Sequence, residues 1–329
     1  MSHTHLTHDE RIVITYLKMT HVPQAEIARR IGRNPGTVCR ELQRNRDFCG
    51  HYHYEQAQHK ARWRRAAGAT RPVTDDADLM THVEAKLRTR WSPEQIAGRL
   101  ELAPPKHLAG RSISHATIYR WIWGDTDRAK HLKAYLRVAC KPRRKPYGKP
   151  SKRGRIPNRT PITDRPEIVD HRSRLGDWEG DTVVGKGRSG HVLTNVDRAS
   201  RYLLARKLAR PTAEAVETAL VDTMRRMLPE KRRTQTFDNG REFSSHESIS
   251  RRLGLAVYFA DPYSSWQRGT NENTNGLLRQ YLPKSRDLRT LTDHELAAYT
   301  WQLNNRPRKC LNYHTPTEVF HHRNVALRM

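Results

Sequence analysis

In Asp177-Trp178-Glu179-Gly180-Asp181-Thr182-Val183-Val184, residues 178–184 are a short β-leaning run that carries Asp181 in its interior. Gly185-Lys186-Gly187-Arg188 follows; it lacks the Walker spacing and reads as a hairpin loop rather than a phosphate cradle. Residues 192–197 and 202–208 give a second and a third strand, and residues 234–238 and 255–260 a fourth and a fifth. A long helix over 212–228, with Ala215, Ala219 and Met227 among its apolar positions, separates the third strand from the fourth. A second helix is expected before the fifth. Three strands, helix, strand, helix, strand predicts a mixed α/β domain with a central sheet.

Working outward, the whole chain has 329 residues, enough for about two domains at ~150 residues each. Its longest apolar run, residues 253–260, is far short of the ~20 residues a membrane span needs. No positively charged start followed by an apolar stretch marks a secretory signal. Cys39, Cys49, Cys140 and Cys310 show no C-x-x-C spacing, which argues against a zinc ribbon or a disulfide scaffold. The reading is a reduced, cytoplasmic protein with no membrane partner. Its formal charge of +27 favours a polyanion. The charge is uneven: residues 1–175 hold 36 basic and 17 acidic side chains, residues 176–329 hold 25 and 17, so nucleic-acid contact is expected in the front half.

That half contains two helical modules. Residues 24–31 form a helix with Ile27 and Ile31 on one face, Gly32 ends it, and Asn34-Pro35 opens the next helix with a cap and a proline at its first position. Helix, short glycine turn, helix is the helix-turn-helix arrangement. The solvent side of its second helix offers Gly36, Thr37, Arg40 and Arg44, with Asn34 at the cap, to base edges or phosphates. Thr7 and Glu10 have capping-box spacing for a leading helix. A second, looser version runs from Ser92 to Ile122, where His115, Thr117 and Arg120 are the candidate DNA contacts; a helical packing module is the alternative. Residues 141–155 hold a proline every four residues, several Lys and Arg and no acid, and read as an extended linker whose Arg143, Arg144 and Lys145 could lie on phosphates. The expected domains are therefore 1–68, 75–140 and 165–329, with a basic linker over 141–160.

Three acids stand where the predicted sheet would converge them: Asp181 inside the first strand, Asp238 at the end of the fourth, and Glu272 in a Gly/Asn-rich lead into a helix. Clustered carboxylates repel unless cations neutralise them, and hard oxygen ligands suit Mg²⁺ or Mn²⁺. Two such ions would clamp the attacking and leaving oxygens of a phosphoryl displacement. Spacing alone does not single these acids out, since Asp177 and Glu179 share a strand face with Asp181. Arg268 could meet a phosphate, Trp266 a base or the core, and Asn239 and Asn271 read best as turn caps.

The longer words narrow this. Trp178-Glu179-Gly180-Asp181, Phe237-Asp238-Asn239-Gly240-Arg241-Glu242-Phe243 and Asp261-Pro262-Tyr263-Ser264-Ser265-Trp266-Gln267-Arg268-Gly269-Thr270-Asn271-Glu272-Asn273 resemble bacterial insertion-sequence transposases of the IS-thirty family, within the Asp-Asp-Glu transposase and integrase superfamily. The 33 residues between Asp238 and Glu272 also match that arrangement. So do Asn304-Asn305-Arg306-Pro307-Arg308-Lys309 and Arg40-Glu41-Leu42-Gln43-Arg44-Asn45, so the likeness spans the chain. Ser265 and Asp197 depart from the pattern, where proline and glutamate are usual. The resemblance implies an RNase H-like catalytic core, with Asp181, Asp238 and Glu272 as catalytic and metal-ligating triad and two Mg²⁺ (or Mn²⁺) per site. It implies binding of double-stranded DNA at terminal inverted repeats, cleavage and strand transfer, a homodimer or larger synaptic assembly, and a bacterial, nucleoid-associated location. The alternatives are a helix-turn-helix regulator with a non-catalytic C-terminal domain, and a nuclease that cuts without joining.

Overall fold

Thr7 and Glu10 close a capping box that starts α1 (His8–Met19). α2 (Gln24–Arg30) follows, and after the turn through Gly32 the Asn34 side chain accepts the Gly36 N–H at 2.8 Å to open α3 (Pro35–Asn45). These helices and α4 (Tyr54–Ala67) close over Ile14, Ile27, Val38, Leu42 and Ala57. Arg11, buried among them, is neutralised by Glu41 at 2.7 Å, and Glu41 also accepts the Tyr52 hydroxyl at 3.0 Å. The computed structural model describes residues 5–47, 49–67, 72–124, 129, 131–137, 156–262 and 264–321. The chain divides into one unit over Met1–Asp75, which holds this helix-turn-helix, and another over Asp76–Met329.

The second unit begins with α5 (Ala77–Arg88), capped by Asp76, and continues with α6 (Pro93–Leu102), whose start is a Ser92–Gln95 capping box, and α7 (His115–Trp123), capped by Ser114. Their own core is built on Leu79, Val83, Leu87, Ile96, Leu100, Ile118 and Ile122. This module is seated on the domain that follows it. Arg99 forms a fork with Glu318 (2.9 and 2.5 Å), Arg306 donates to Gln95 at 2.8 Å, and Lys309 pairs with Glu94 at 2.6 Å. A Cβ on Gly98 would lie 2.4 Å from the Tyr313 ring, so only glycine admits that approach.

The remaining elements are α8 (Ile168–His171), β1 (Asp177–Val184), β2 (His191–Asp197), β3 (Leu203–Leu208), α9 (Ala213–Met224), β4 (Thr234–Phe237), α10 (His246–Leu253), β5 (Ala256–Phe259), α11 (Gly269–Leu278), α12 (Asp293–Asn304) and α13 (Pro316–His321). The sheet order is β3-β2-β1-β4-β5. β1, β2 and β3 pair antiparallel, while β4 and β5 run parallel to β1. This is the expected RNase H-like α/β core. One face, with Trp178, Leu193 and Phe237, packs against Val216, Leu220 and Met224 of α9 and Ile249 and Leu253 of α10. The other, with Val183, Val192 and Val196, packs against Leu277, Leu278, Leu296 and Leu303 of α11 and α12. Alternation along each strand sends successive side chains into these two cores. α9 is shorter than its pattern suggests. The helix ends at Met224, four residues before the extended Leu228 (ψ 147°) that precedes Pro229, and its buried face is Val216, Leu220, Val221 and Met224, with Ala215, Ala219 and Met227 at the margin. Among the described residues, no helix is long and apolar enough to cross a membrane.

Candidate active site

Asp177, Glu179 and Asp181 alternate onto one face of β1, and their partners separate them. Asp177 is buried and bonded to Arg174 and to the Thr234 hydroxyl, both at 2.8 Å. Glu179 is buried and bonded to Arg198 at 2.8 Å and to the Asn271 backbone N–H at 2.8 Å. Asp181 alone of the three opens toward solvent.

The parallel register places its neighbour. Asp177 stands opposite Thr234 and Glu179 opposite Thr236, so two residues further on Asp181 comes beside Asp238, just past the end of β4. The Arg268 guanidinium lies between them, 3.7 Å from Asp181 Oδ1 and 3.3 Å from Asp238 Oδ2. Arg268 also donates to the Gly180 carbonyl at 3.2 Å. Asp181 accepts from the Asn275 amide at 3.0 Å and the Thr182 N–H at 2.9 Å. Burial pushes the Asp181 carboxyl above its ordinary value; Arg268 opposes the shift and Asp238 adds to it.

A fourth carboxylate stands here that spacing did not single out. Glu242 accepts the Thr182 hydroxyl at 3.0 Å. A Cβ on Gly240 would lie 2.5 Å from Glu242 Oε2 and 2.9 Å from Asp238 Oδ1, so this glycine lets the two acids come close. The glycine between two acids was the available signal.

Glu272 occupies the first turn of α11, exposed, and its carboxylate makes no hydrogen bond or ion pair with the described residues. Arg268, one turn earlier, and Asn275, one turn later, both reach Asp181, so this stretch of the helix faces β1. Asp181 and Asp238 are thus one guanidinium apart, with Glu272 outside them. Among the described residues, no group of three or more His, Cys, Asp or Glu side chains is drawn together tightly enough to hold a metal ion. The positive charge that the aspartate pair requires is supplied by Arg268, and nothing draws the Glu272 carboxylate inward.

Several expectations change at this site. Arg268 turns inward onto carboxylates instead of outward to a phosphate. Asn271, wholly buried in the first turn of α11, bonds to β1 and β2 rather than capping a turn. Asn239 ties the ends of two strands, accepting from Arg159 and donating to the Ala260 carbonyl at 2.7 Å. Trp266, 73% exposed, is not a core anchor. On the helix-turn-helix, Arg40 and Arg44 are exposed on α3, Gly36 and Thr37 are partly so, and the Asn34 side chain is occupied by its cap. On α7, His115 and Arg120 are exposed, while the Thr117 hydroxyl is shared with Ser114 at 2.8 Å. Arg143, Arg144 and Lys145 lie outside the described residues.

The helix-turn-helix domain family matches residues 2–45, and the integrase core domain family matches residues 171–265. The chain is 41% identical to the transposase for insertion sequence element IS4351 of Bacteroides fragilis, over 96% of this chain and 95% of that one. It is 39% identical to transposase InsI for insertion sequence element IS30C of Escherichia coli (strain K12), over 98% of this chain and 85% of that one. With the transposase for IS1086 of Cupriavidus metallidurans the identity is 40%, over 94% and 92% of the two chains. A DNA-binding helix-turn-helix ahead of an integrase-type core defines a polynucleotidyl transferase that moves DNA, and the regulator alternative falls with that. The chain belongs to the IS30 family of insertion-sequence transposases.

Proposed function

We propose that Asp181, Asp238 and Glu272 form the centre at which this transposase cleaves DNA and joins it to a target. The observation that carries this reading is the β1–β4 register, which sets Asp181 beside Asp238 with a cation already seated between them. A pair of carboxylates that recruits a guanidinium is chemically fitted to hard divalent ions, Mg²⁺ or Mn²⁺, two per site. Such ions, when bound, activate the attacking oxygen and stabilise the departing one. Asp181 and Asp238 present oxygen ligands from neighbouring strands, and Glu272 adds a third from α11. Asn275 fixes the orientation of the Asp181 carboxylate, and Arg268 keeps the aspartate pair from repelling itself.

Hydrolysis at an element end frees a 3′-hydroxyl, and that oxygen then attacks a phosphodiester of the target. In this reading α3 approaches the terminal inverted repeats through Arg40 and Arg44 with Gly36 and Thr37, and α7 adds His115, Thr117 and Arg120. Two ends held together require a homodimer or a larger synaptic assembly. Asp238→Asn, assayed on duplex carrying an element end with Mg²⁺, is expected to bind normally and cut at background level. Cutting at the wild-type rate refutes the site. A pre-cleaved end separates transposase from simple nuclease: wild-type protein should give strand-transfer product, and none across several metals and targets would favour the nuclease.

A further inference from the structure

α11 starts without a cap of its own. Arg268 occupies its N-cap position and makes no capping side-chain bond, so the first-turn N–H groups need partners from elsewhere. One comes from β1. Glu179 Oε2 accepts the Asn271 backbone N–H at 2.8 Å, and the Asn271 amide returns a bond to the Glu179 carbonyl at 2.7 Å. Asn271 Oδ1 also accepts the Thr194 hydroxyl of β2 at 3.2 Å. The second Glu179 oxygen is held by Arg198 at 2.8 Å. Arg198 is fixed in turn by the Val169 carbonyl (3.1 Å) and Asp170 (3.0 Å) of α8.

We infer that Glu179 is a positioning residue: through its reciprocal bonds with Asn271 it locks the first turn of α11 to β1 and thereby sets where Glu272 stands relative to Asp181. The inference rests on the assignment of Asp181, Asp238 and Glu272 as the metal-holding centre. Glu179 lies two residues from Asp181 on the same strand face, and Asn271 adjoins Glu272, so the clamp ties together the backbones that carry two of the three acids. A carboxylate facing a helix N-terminus is favoured by the dipole, and charge-assisted bonds in a water-free interior are strong and directional. A buried carboxylate is a poor choice for packing alone, because its desolvation must be met by a dedicated arginine. Glutamine cannot replace it. With one acceptor oxygen it would serve Asn271 or Arg198 and turn an N–H₂ group on the other. The neighbouring Asp177 makes no such link, since its partners, Arg174 and Thr234, lie away from α11.

The test uses the full-length chain as Glu179→Gln and Thr194→Val, each alone and combined with Glu272→Gln. Backbone amide exchange and Mn²⁺ binding by calorimetry are the readouts. Glu179→Gln should speed exchange at Asn271 and Glu272 by about tenfold or more while β2 and β3 keep their protection. It should weaken Mn²⁺ binding by about 10–100-fold. In the Glu272→Gln background, where that ligand is already gone, it should weaken binding no further. Thr194→Val removes a hydroxyl that lies 3.2 Å from both Asn271 Oδ1 and the Asp181 carbonyl, and no charge; it should give a smaller rise in exchange at the start of α11. Unchanged exchange at the start of α11 overturns the inference, as does an equal Mn²⁺ loss in both backgrounds, which would mean an action on Asp181 or on the whole fold. Mn²⁺ affinity indifferent to Glu272→Gln would overturn the ligand assignment itself, a failure told apart because amide exchange is measured on the metal-free protein.

Discussion

Arg268 sits between Asp181 and Asp238 and holds together two carboxylates that would otherwise repel. Arg268→Gln should therefore destabilise the metal-free protein by about 1–2 kcal/mol, less than a fully buried pair because Asp238 is partly exposed. The same variant should gain more stability from Mn²⁺ than wild type does, since the ion no longer competes with a guanidinium. Thermal melts across a Mn²⁺ titration check both; equal gains would separate Arg268 from the metal position. Asp197 offers a second test. Burial pushes its carboxyl up to about 6, although the Ser200 hydroxyl and N–H and the Gly176 N–H favour the charged form; Asp177 adds to the rise. A folded-state value above the unfolded one contributes stability that is complete below about pH 4 and lost as pH rises through about 6. Wild type minus Asp197→Asn should gain up to about 3 kcal/mol in unfolding free energy between pH 7 and pH 4. Urea melts across that range measure it, and a flat difference would contradict it.

At the scale of the element, α3 separates residues that make the helix from residues that use it. Asn34→Ala removes the cap and should cost about 1 kcal/mol of stability in the Met1–Asp75 unit. Arg40 is exposed and helical, so Arg40→Ala should leave stability within about 0.5 kcal/mol yet weaken duplex binding and lower the salt-dependence slope by about 1. Chemical melts beside binding isotherms at several salt concentrations distinguish the two. Equal loss of stability in both variants would make Arg40 structural. α11 shows the opposite economy: it carries little capping of its own and relies on Glu179, so its placement belongs to the sheet and not to its local sequence.

At the scale of the molecule, the second helical module is bound to the catalytic core through the Arg99–Glu318 fork, itself partly buried. Arg99→Ala should open that contact and raise proteolytic cleavage between residues 76 and 137 while the sheet keeps its exchange protection; unchanged cleavage would show that the other contacts suffice. What the sequence by itself determined is local. Caps at Thr7, Asn34, Ser92 and Ser114 and the alternating runs from Asp177 to Phe259 depend on neighbours a few residues away, so helix starts and strands can be read directly. Even there, α9 ended a turn earlier than its apolar pattern suggested, while Pro229 holds only Leu228, the residue before it, extended. Spacing left Asp177, Glu179 and Asp181 undistinguished on one strand face, and the motif words pointed to Asp181 without showing how the other two are occupied. Only the tertiary structure shows Asp177 and Glu179 buried and partnered, together with the inward turn of Arg268, the clamp on Asn271, the approach of Glu242 and the seating of the second module. Each depends on the register between distant strands and on the removal of water from charged groups. Neither quantity exists until the chain has folded.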